Sequence, residues 1–278
     1  MGYAVRKVIE FPVSVADERV VNPYDAATEE IKGKKAVHPL DSMEEVDTLI
    51  SYFLNAGRTR DALMCVAQLN FGLRIGDILW MRWKDLFNDD GTLKESNEIK
   101  TQKTIAVVEF YINEAVAEAA MLHKEAVGKE FDLGDEGYIF VSNRGGRAGY
   151  TPIPYRGSQN SKIQAMRLQP MNVTSACRIV TDAAKACGLY KEKRHISTHS
   201  LRKTALNAVI GSIDGLEPDQ ELLNLKSMIK VAQQMAAHAD SRTTDIHYLN
   251  RRYRVAAVKK MNLGLGAIKA FKERMGDT

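Results

Sequence analysis

Apolar residues recur at helical spacing over most of the chain and at strand spacing in one short region. Ser42 followed by Glu45 forms a capping box, after which Val46, Leu49, Ile50, Phe53 and Leu54 fall on one face of a predicted helix. A second helix is expected from about Arg60 to Phe71, with Leu63, Val66, Ala67 and Leu69 available for packing, and Gly72 interrupts it. Between Trp80 and Ile112 the period changes. The Trp83 to Leu86 segment, the turn-like Asn88-Asp89-Asp90-Gly91, and two segments around Glu98 to Lys100 and Thr104 to Ile112 predict a small antiparallel sheet. Helical spacing returns at Asn113 to Val127, followed by a short strand candidate at Tyr138 to Ser142 and a helix capped by Asn172 that ends at Gly188. Further helices are predicted over Ser200 to Ser212, Asp219 to Ala237, Thr243 to Met261 and Leu263 to Met275. The fold class expected is α+β, mainly α-helical, with a small antiparallel β-sheet.

Residues 1 to about 40 lack a sustained period, contain Pro12, Pro23 and Pro39, and end near the basic run Lys32-Gly33-Lys34-Lys35. The expected organisation is therefore an extended arm or linker over 1–40 and one packed domain over 41–278 that includes the C-terminal helix. A 278-residue chain that is 45% hydrophobic and 27% charged belongs with soluble globular proteins. No stretch approaches the eighteen apolar residues of a membrane span, and the start lacks the apolar block of a signal peptide, so a cytoplasmic protein with no membrane partner is expected. The three cysteines, Cys65, Cys177 and Cys187, form no CxxC pair and suggest neither a disulfide framework nor a thiolate metal site.

The net charge of +4 does not by itself point to nucleic acid, but its distribution is uneven. From Gly137 to Thr181 there is no acidic residue, whereas Arg144, Arg147, Arg156, Lys162, Arg167 and Arg178 are present. This stretch is a candidate DNA-backbone surface, with Arg144, Arg147, Arg156, Lys162 and Arg167 the candidate contacts; a solvated loop that happens to be basic is the alternative reading of the same charges.

Chemistry enters at His199-Ser200-Leu201-Arg202, where a spacing of three puts an imidazole and a guanidinium on one face of a helix's first turn, with Thr198 or Ser200 available to cap it. Exposed amides and an Arg fork suit a phosphate. In Gly72-Leu73-Arg74-Ile75-Gly76-Asp77 an Arg interrupts an apolar passage, and a buried Arg needs an anion: Asp77 as a structural partner, a phosphate, or both. Downstream, His238 follows a predicted helix and Tyr248 lies ten residues later, after a new helix start at Ser241 to Thr244.

In this order the motifs resemble the tyrosine recombinase (phage integrase) family, over roughly residues 40 to 260: Gly-Leu-Arg-x-x-Asp, a lysine on a β-hairpin, His-x-Leu-Arg, a His after a helix, and a Tyr about ten residues on. The resemblance implies the family's catalytic-domain fold, with Arg74 and Arg202 as phosphate clamps, His199 and His238 as assisting imidazoles, Tyr248 as nucleophile and Asp77 as support. Ile99-Lys100-Thr101-Gln102-Lys103 resembles the family's Lys-Thr-Gly segment, which favours Lys100 as the hairpin lysine, with Lys103 as the alternative. The implied activity is metal-free and cofactor-free cleavage and rejoining of DNA at a specific site through a 3′-phosphotyrosine, performed by a homo-oligomer, a tetramer, on double-stranded DNA. The chain departs from the pattern in two respects: Ala236-Ala237 replaces the usual Leu-Gly, and a 40-residue arm stands where family members carry a helical core-binding domain.

Other readings of the same residues are a type IB topoisomerase-like enzyme, a DNA-binding module without catalysis, and a metal hydrolase built on His195 and His199, which lacks the HExxH glutamate. The terminal helix, with Leu263, Leu265, Ala267, Ile268 and Phe271, can dock on a neighbouring protomer or on its own core.

Overall fold

Helix α1 (Met43–Asn55) begins where the sequence pattern places it. Ser42 is extended and its Oγ accepts from the Glu45 amide, while the Glu45 carboxylate accepts from the Asp41 amide at 2.8 Å. The two acidic residues of the first turn, Glu44 and Glu45, also suit the positive end of the helix dipole. In the computed structural model, residues 37–103, 105–127, 137–142, 170–209, 213–214 and 261–276 are described. The N-terminal arm up to residue 36, the helix expected over Asp219 to Ala237 and nearly all of the one expected over Thr243 to Met261 lie outside the described residues.

Helix α2 (Thr59–Phe71) is the hub of the core: every residue from Asp61 to Phe71 is buried, so no polar face is left to water. It packs against α1, against α5 (Glu114–Val127) and against α7 (Thr198–Val209). Truncating a core residue such as Leu63, which is fully buried, should cost about 2–5 kcal/mol. Asp61 in its first turn is held by Arg58 and Arg60, and Cys65 in its middle is buried with its thiol pKa pushed up by desolvation. Gly72 ends the helix at φ 63, a left-handed conformation that suits glycine, and its amide returns to the Gln68 carbonyl. The chain then leaves the turn directly into the short helix α3 (Ile75–Leu79).

Two stretches read as strands take other forms. Trp83 to Leu86 is a helical turn, α4, because the Asp85 carboxylate accepts from the Arg82 amide at 2.7 Å and closes it as an N-terminal cap. Tyr138 to Ser142 forms only isolated bridges, Tyr138 with Arg82 and Val141 with Pro170, since it meets two different neighbours and no continuous edge. Among the described residues the sheet is one antiparallel hairpin of β1 (Ser96–Lys100) and β2 (Val107–Tyr111), in register from Ser96 opposite Tyr111 to Lys100 opposite Val107. The architecture is mainly helical with this small sheet.

Helix α6 (Val173–Ala186) starts under the Asn172 side chain, which accepts from the Ser175 amide. The terminal helix, α8 (Leu265–Gly276), packs on α1 and α5 of its own chain and is joined to α5 by Lys269–Glu114 and Lys272–Glu118 ion pairs. Among the described residues, no helix is long and apolar enough to cross a membrane.

Candidate active site

Arg74 occupies the position just before α3, in an extended conformation that leaves its carbonyl to accept from the Asp77 and Ile78 amides. Its side chain makes no ion pair with Asp77. Instead Asp77 Oδ1 accepts from the backbone amide of Gln102 at 2.9 Å, across 25 positions of sequence, and Gln102 Nε2 reaches the Gly76 carbonyl at 3.4 Å. Arg74 Nη1 is buried with no hydrogen-bond partner, and so is Asp77 Oδ2. The structural Arg74–Asp77 pair considered from sequence does not form; Asp77 turns one carboxylate oxygen to the hairpin instead.

That contact places the hairpin tip beside α3. Thr101 is buried and closes the turn by binding Ala106 through both its amide and its hydroxyl. Lys100 is the last residue of β1 and is exposed; Lys103 lies in the turn and is exposed as well. Gln102, the residue that ties the tip down, carries no sequence signal of its own.

Helix α7 brings the second group of candidates. Ser200 Oγ accepts from the Ser197 amide and so caps the first turn in reverse, while the Thr198 hydroxyl is turned to Cys177 Sγ at 3.1 Å and does not serve as a cap. The chain ahead of α1 steadies the middle of α7: the Leu40 amide donates to Thr204 Oγ1 at 2.7 Å, and Lys203 Nζ to the Val37 carbonyl at 2.7 Å. Arg202, 4% exposed, has its pKa pulled down to about 10 by burial and by the positive charge of Arg74, with Asp77 acting in the opposite sense. His199 is exposed, yet partial desolvation and the positive charges of Lys203, Arg202 and Arg74 hold its pKa below the ordinary histidine value. These effects on Arg202 and His199 put Arg74, His199, Arg202 and Asp77 in one electrostatic neighbourhood, in which cations outnumber the single carboxylate.

His195, the other half of the metal-site reading, has its Nδ1 engaged by the Tyr190 hydroxyl. No group of three His, Cys, Asp or Glu side chains suited to a metal occurs among the described residues. His238 and Tyr248 lie outside the described residues, as do Arg144, Arg147, Arg156, Lys162 and Arg167. Arg178, the remaining cation of the acid-free stretch, is exposed on α6 and shares a pocket with Arg58, Arg60 and Asp61.

Chemically, two guanidiniums and an imidazole that keeps its neutral form at pH 7 can hold a singly charged phosphodiester and accept a proton near it. The chain is 30% identical over 168 residues, 60% of its own length and 72% of the other's, to the probable integrase/recombinase YoeC of Bacillus subtilis (strain 168). Superposition on a lambda integrase dimer bound to a COC′ core site gives a TM-score of 0.47 at 19% identity, covering 82% of this chain and 51% of that one. XerA recombinase gives 0.45 at 17% identity, covering 87% and 66%. The chain thus spans between about half and two-thirds of those solved chains. The sequence profile of the phage integrase family matches residues 42–254, well over half of the chain, so the chain belongs to the phage integrase family of tyrosine recombinases.

Proposed function

We propose that this chain is the catalytic domain of a site-specific DNA recombinase, spanning residues 41–278 behind an N-terminal arm, that cleaves and rejoins double-stranded DNA through a 3′-phosphotyrosine at Tyr248. The observation that carries the reading is the buried, unpartnered Nη1 of Arg74 in the neighbourhood of Arg202 and His199. Keeping such a group out of water without an anion costs free energy, and a scissile phosphate supplies the anion.

In the proposed reaction the Tyr248 oxygen attacks phosphorus, and its proton passes to His199 or to a phosphate oxygen. Charge that develops on the nonbridging oxygens is held by Arg74, Arg202 and His238. The bond to the 5′ oxygen breaks, and Lys100, at the end of the anchored hairpin, protonates that leaving group. The ester energy stays in the phosphotyrosine, so the 5′-hydroxyl of a second strand reverses the step with no cofactor. As the family resemblance implies, protomers act together as a tetramer on paired sites, and the acid-free stretch with Arg144, Arg147, Arg156, Lys162 and Arg167 runs along the DNA backbone.

Trapping on a nicked suicide substrate in EDTA tests this reading. The wild type should form a protease-resistant DNA–peptide adduct that mass spectrometry maps to Tyr248, and Tyr248→Phe should bind DNA without forming it. An adduct at Tyr253, five residues downstream in the same expected helix, or cleavage that depends strictly on added metal, would overturn it. Relaxation of supercoiled plasmid without strand exchange would instead favour the type IB topoisomerase-like activity.

A further inference from the structure

Asn70 is a fully buried polar residue one position from the end of α2, in the otherwise apolar run Leu69-Asn70-Phe71. Its amide is saturated. Nδ2 donates to the Val66 carbonyl at 2.8 Å and to the Leu263 carbonyl at 3.0 Å, while Oδ1 accepts from the Leu263 amide at 3.0 Å and from Asn113 Nδ2 at 2.8 Å. Asn70 thus binds both backbone groups of one residue that lies 193 positions away. Leu263 is itself fully buried, and the chain around it is tightly seated. Asn262 Oδ1 accepts from the Ala115 amide, and a Cβ added at Gly264 would come within 3.1 Å of Ile50.

The two ends of this clamp sit at chemically important points of the chain. Asn70 precedes Arg74 by four residues, and those four include the left-handed turn at Gly72 and the fully buried Leu73, so the path between them has little freedom. Leu263 follows Tyr248 by fifteen residues and lies two residues after the buried Met261. A purely structural tie between α2 and the C-terminal segment would be served as well by a packed leucine, which needs no partners. An amide that grips both backbone groups of Leu263 sets the register of that backbone as well as its burial.

We propose that Asn70 is a positioning residue for strand cleavage, fixing Leu263, and through it the end of the segment that carries the nucleophile, to the helix end from which the chain turns into Arg74. This rests on the reading of Tyr248 as nucleophile and Arg74 as phosphate clamp. It assigns Asn70 no contact with DNA. Its effect is on the distance between attacking oxygen and phosphorus, where an error of about 1 Å can cost on the order of a hundredfold in rate.

Asn70→Asp tests it in the full chain. As a carboxylate the new side chain still accepts from Leu263 and Asn113 but presents no proton to the Leu263 carbonyl. Burial raises its pKa, and once protonated it donates there again. Single-turnover adduct formation is measured at saturating DNA and expressed per folded molecule, with folding followed by circular dichroism and DNA affinity by titration. Expected are near-wild-type affinity, a rate reduced about tenfold or more at neutral pH, and a gap to wild type that narrows as the pH falls. Equal rates at neutral pH, or a deficit that does not change with pH, would overturn the inference. Should Asn70→Asp melt below the assay temperature, Asn70→Ser, which keeps a donor and an acceptor on a shorter arm, must show the same split between intact affinity and slowed cleavage, and wild-type cleavage by that variant would equally overturn it. Wild-type protein that forms no phosphotyrosine at all would overturn the proposed function first, so the two failures can be told apart.

Discussion

Asp77 and Gln102 are joined by a 2.9 Å hydrogen bond from the Gln102 amide to the Asp77 carboxylate, and this contact sets the hairpin against the helix that follows Arg74. Asp77 thereby holds the hairpin whose first strand ends at Lys100, and Arg74 Nη1 is left without a hydrogen-bond partner. A charge-assisted bond of this kind is worth about 1.5–3 kcal/mol. Asp77→Ala should therefore slow cleavage by about tenfold to a hundredfold, while DNA binding changes little. A substrate with a sulfur leaving group, which needs no proton, should recover most of the loss. An Asp77→Ala rate that stays depressed with that substrate would place the defect at Arg74 and not at Lys100.

Arg202→Lys should lose far more activity than affinity, on the order of a hundredfold, because an ammonium cannot present a planar fork to two phosphate oxygens. The deficit should also depend on pH. The burial and the Arg74 charge that bring Arg202 down to about 10 would act on a lysine as well, whose ordinary value is only about 10.4. The variant should accordingly fall further behind wild type as the pH is raised above neutral and its ammonium is lost. A kinetically silent Arg202→Lys would show that the planar fork of Arg202 does not hold the phosphate.

In the free protein His199 should titrate below about 6.5, and Arg74→Ala should raise its pKa toward that value by removing one of the cations that depress it. Because the folded state disfavours the imidazolium, the unfolded chain binds the proton first, and this residue's share of stability is lost as the pH falls through the interval just below 6.5. Bound DNA should reverse the shift by supplying an anion. Histidine-resolved NMR titration of both proteins, with and without DNA, checks all three statements; an unchanged pKa in Arg74→Ala would mean that the two side chains do not share a site.

The parts of the site legible in the sequence are those in which one residue type is out of place for its local pattern. Arg74 breaks an apolar run, and His199 and Arg202 share a face at a spacing of three, so both stand out without a structure. Partners distant in sequence do not show in this way. Gln102 acts through its backbone amide, to which its side-chain identity gives no clue, and Asn70 takes its meaning only from Leu263, 193 residues on. Helix α4 was hidden for a related reason: four residues are too few to establish a period, and the Asp85 cap decided the outcome.

Neutralising Arg144, Arg147 and Arg156 together should weaken binding to every DNA sequence alike. Each phosphate contact releases counterions and contributes about 0.9 to the slope of log affinity against log salt, so the triple variant's slope should be shallower by up to about 3. Equal slopes in variant and wild type would show that these arginines do not lie on the backbone.

The terminal helix offers a prediction that depends on no catalytic assignment. Asp47 on α1 lies against the start of α8: its Oδ1 accepts from the Ala267 amide at 3.4 Å, and a Cβ added at Gly266 would lie 2.6 Å from its Oδ2. Two effects compete there. The Ala267 amide and the positive end of the helix favour the carboxylate, but loss of water outweighs the amide bond and raises the Asp47 pKa. The folded state then binds a proton more readily than the unfolded chain, so stability falls as the pH rises from the ordinary aspartate value through the raised one, and at neutral pH the ionised group is a net cost. Asp47→Asn keeps an oxygen for Ala267 and removes the charge. It should raise the melting temperature at pH 7, by about 2–4 °C if the relief is near 1 kcal/mol, and the gain should shrink toward acid pH. A lower melting temperature for Asp47→Asn at pH 7 would mean that the helix end prefers the charge after all, in which case Gly266→Ala, by pushing the carboxylate off the Ala267 amide, should destabilise the protein more at neutral than at acid pH.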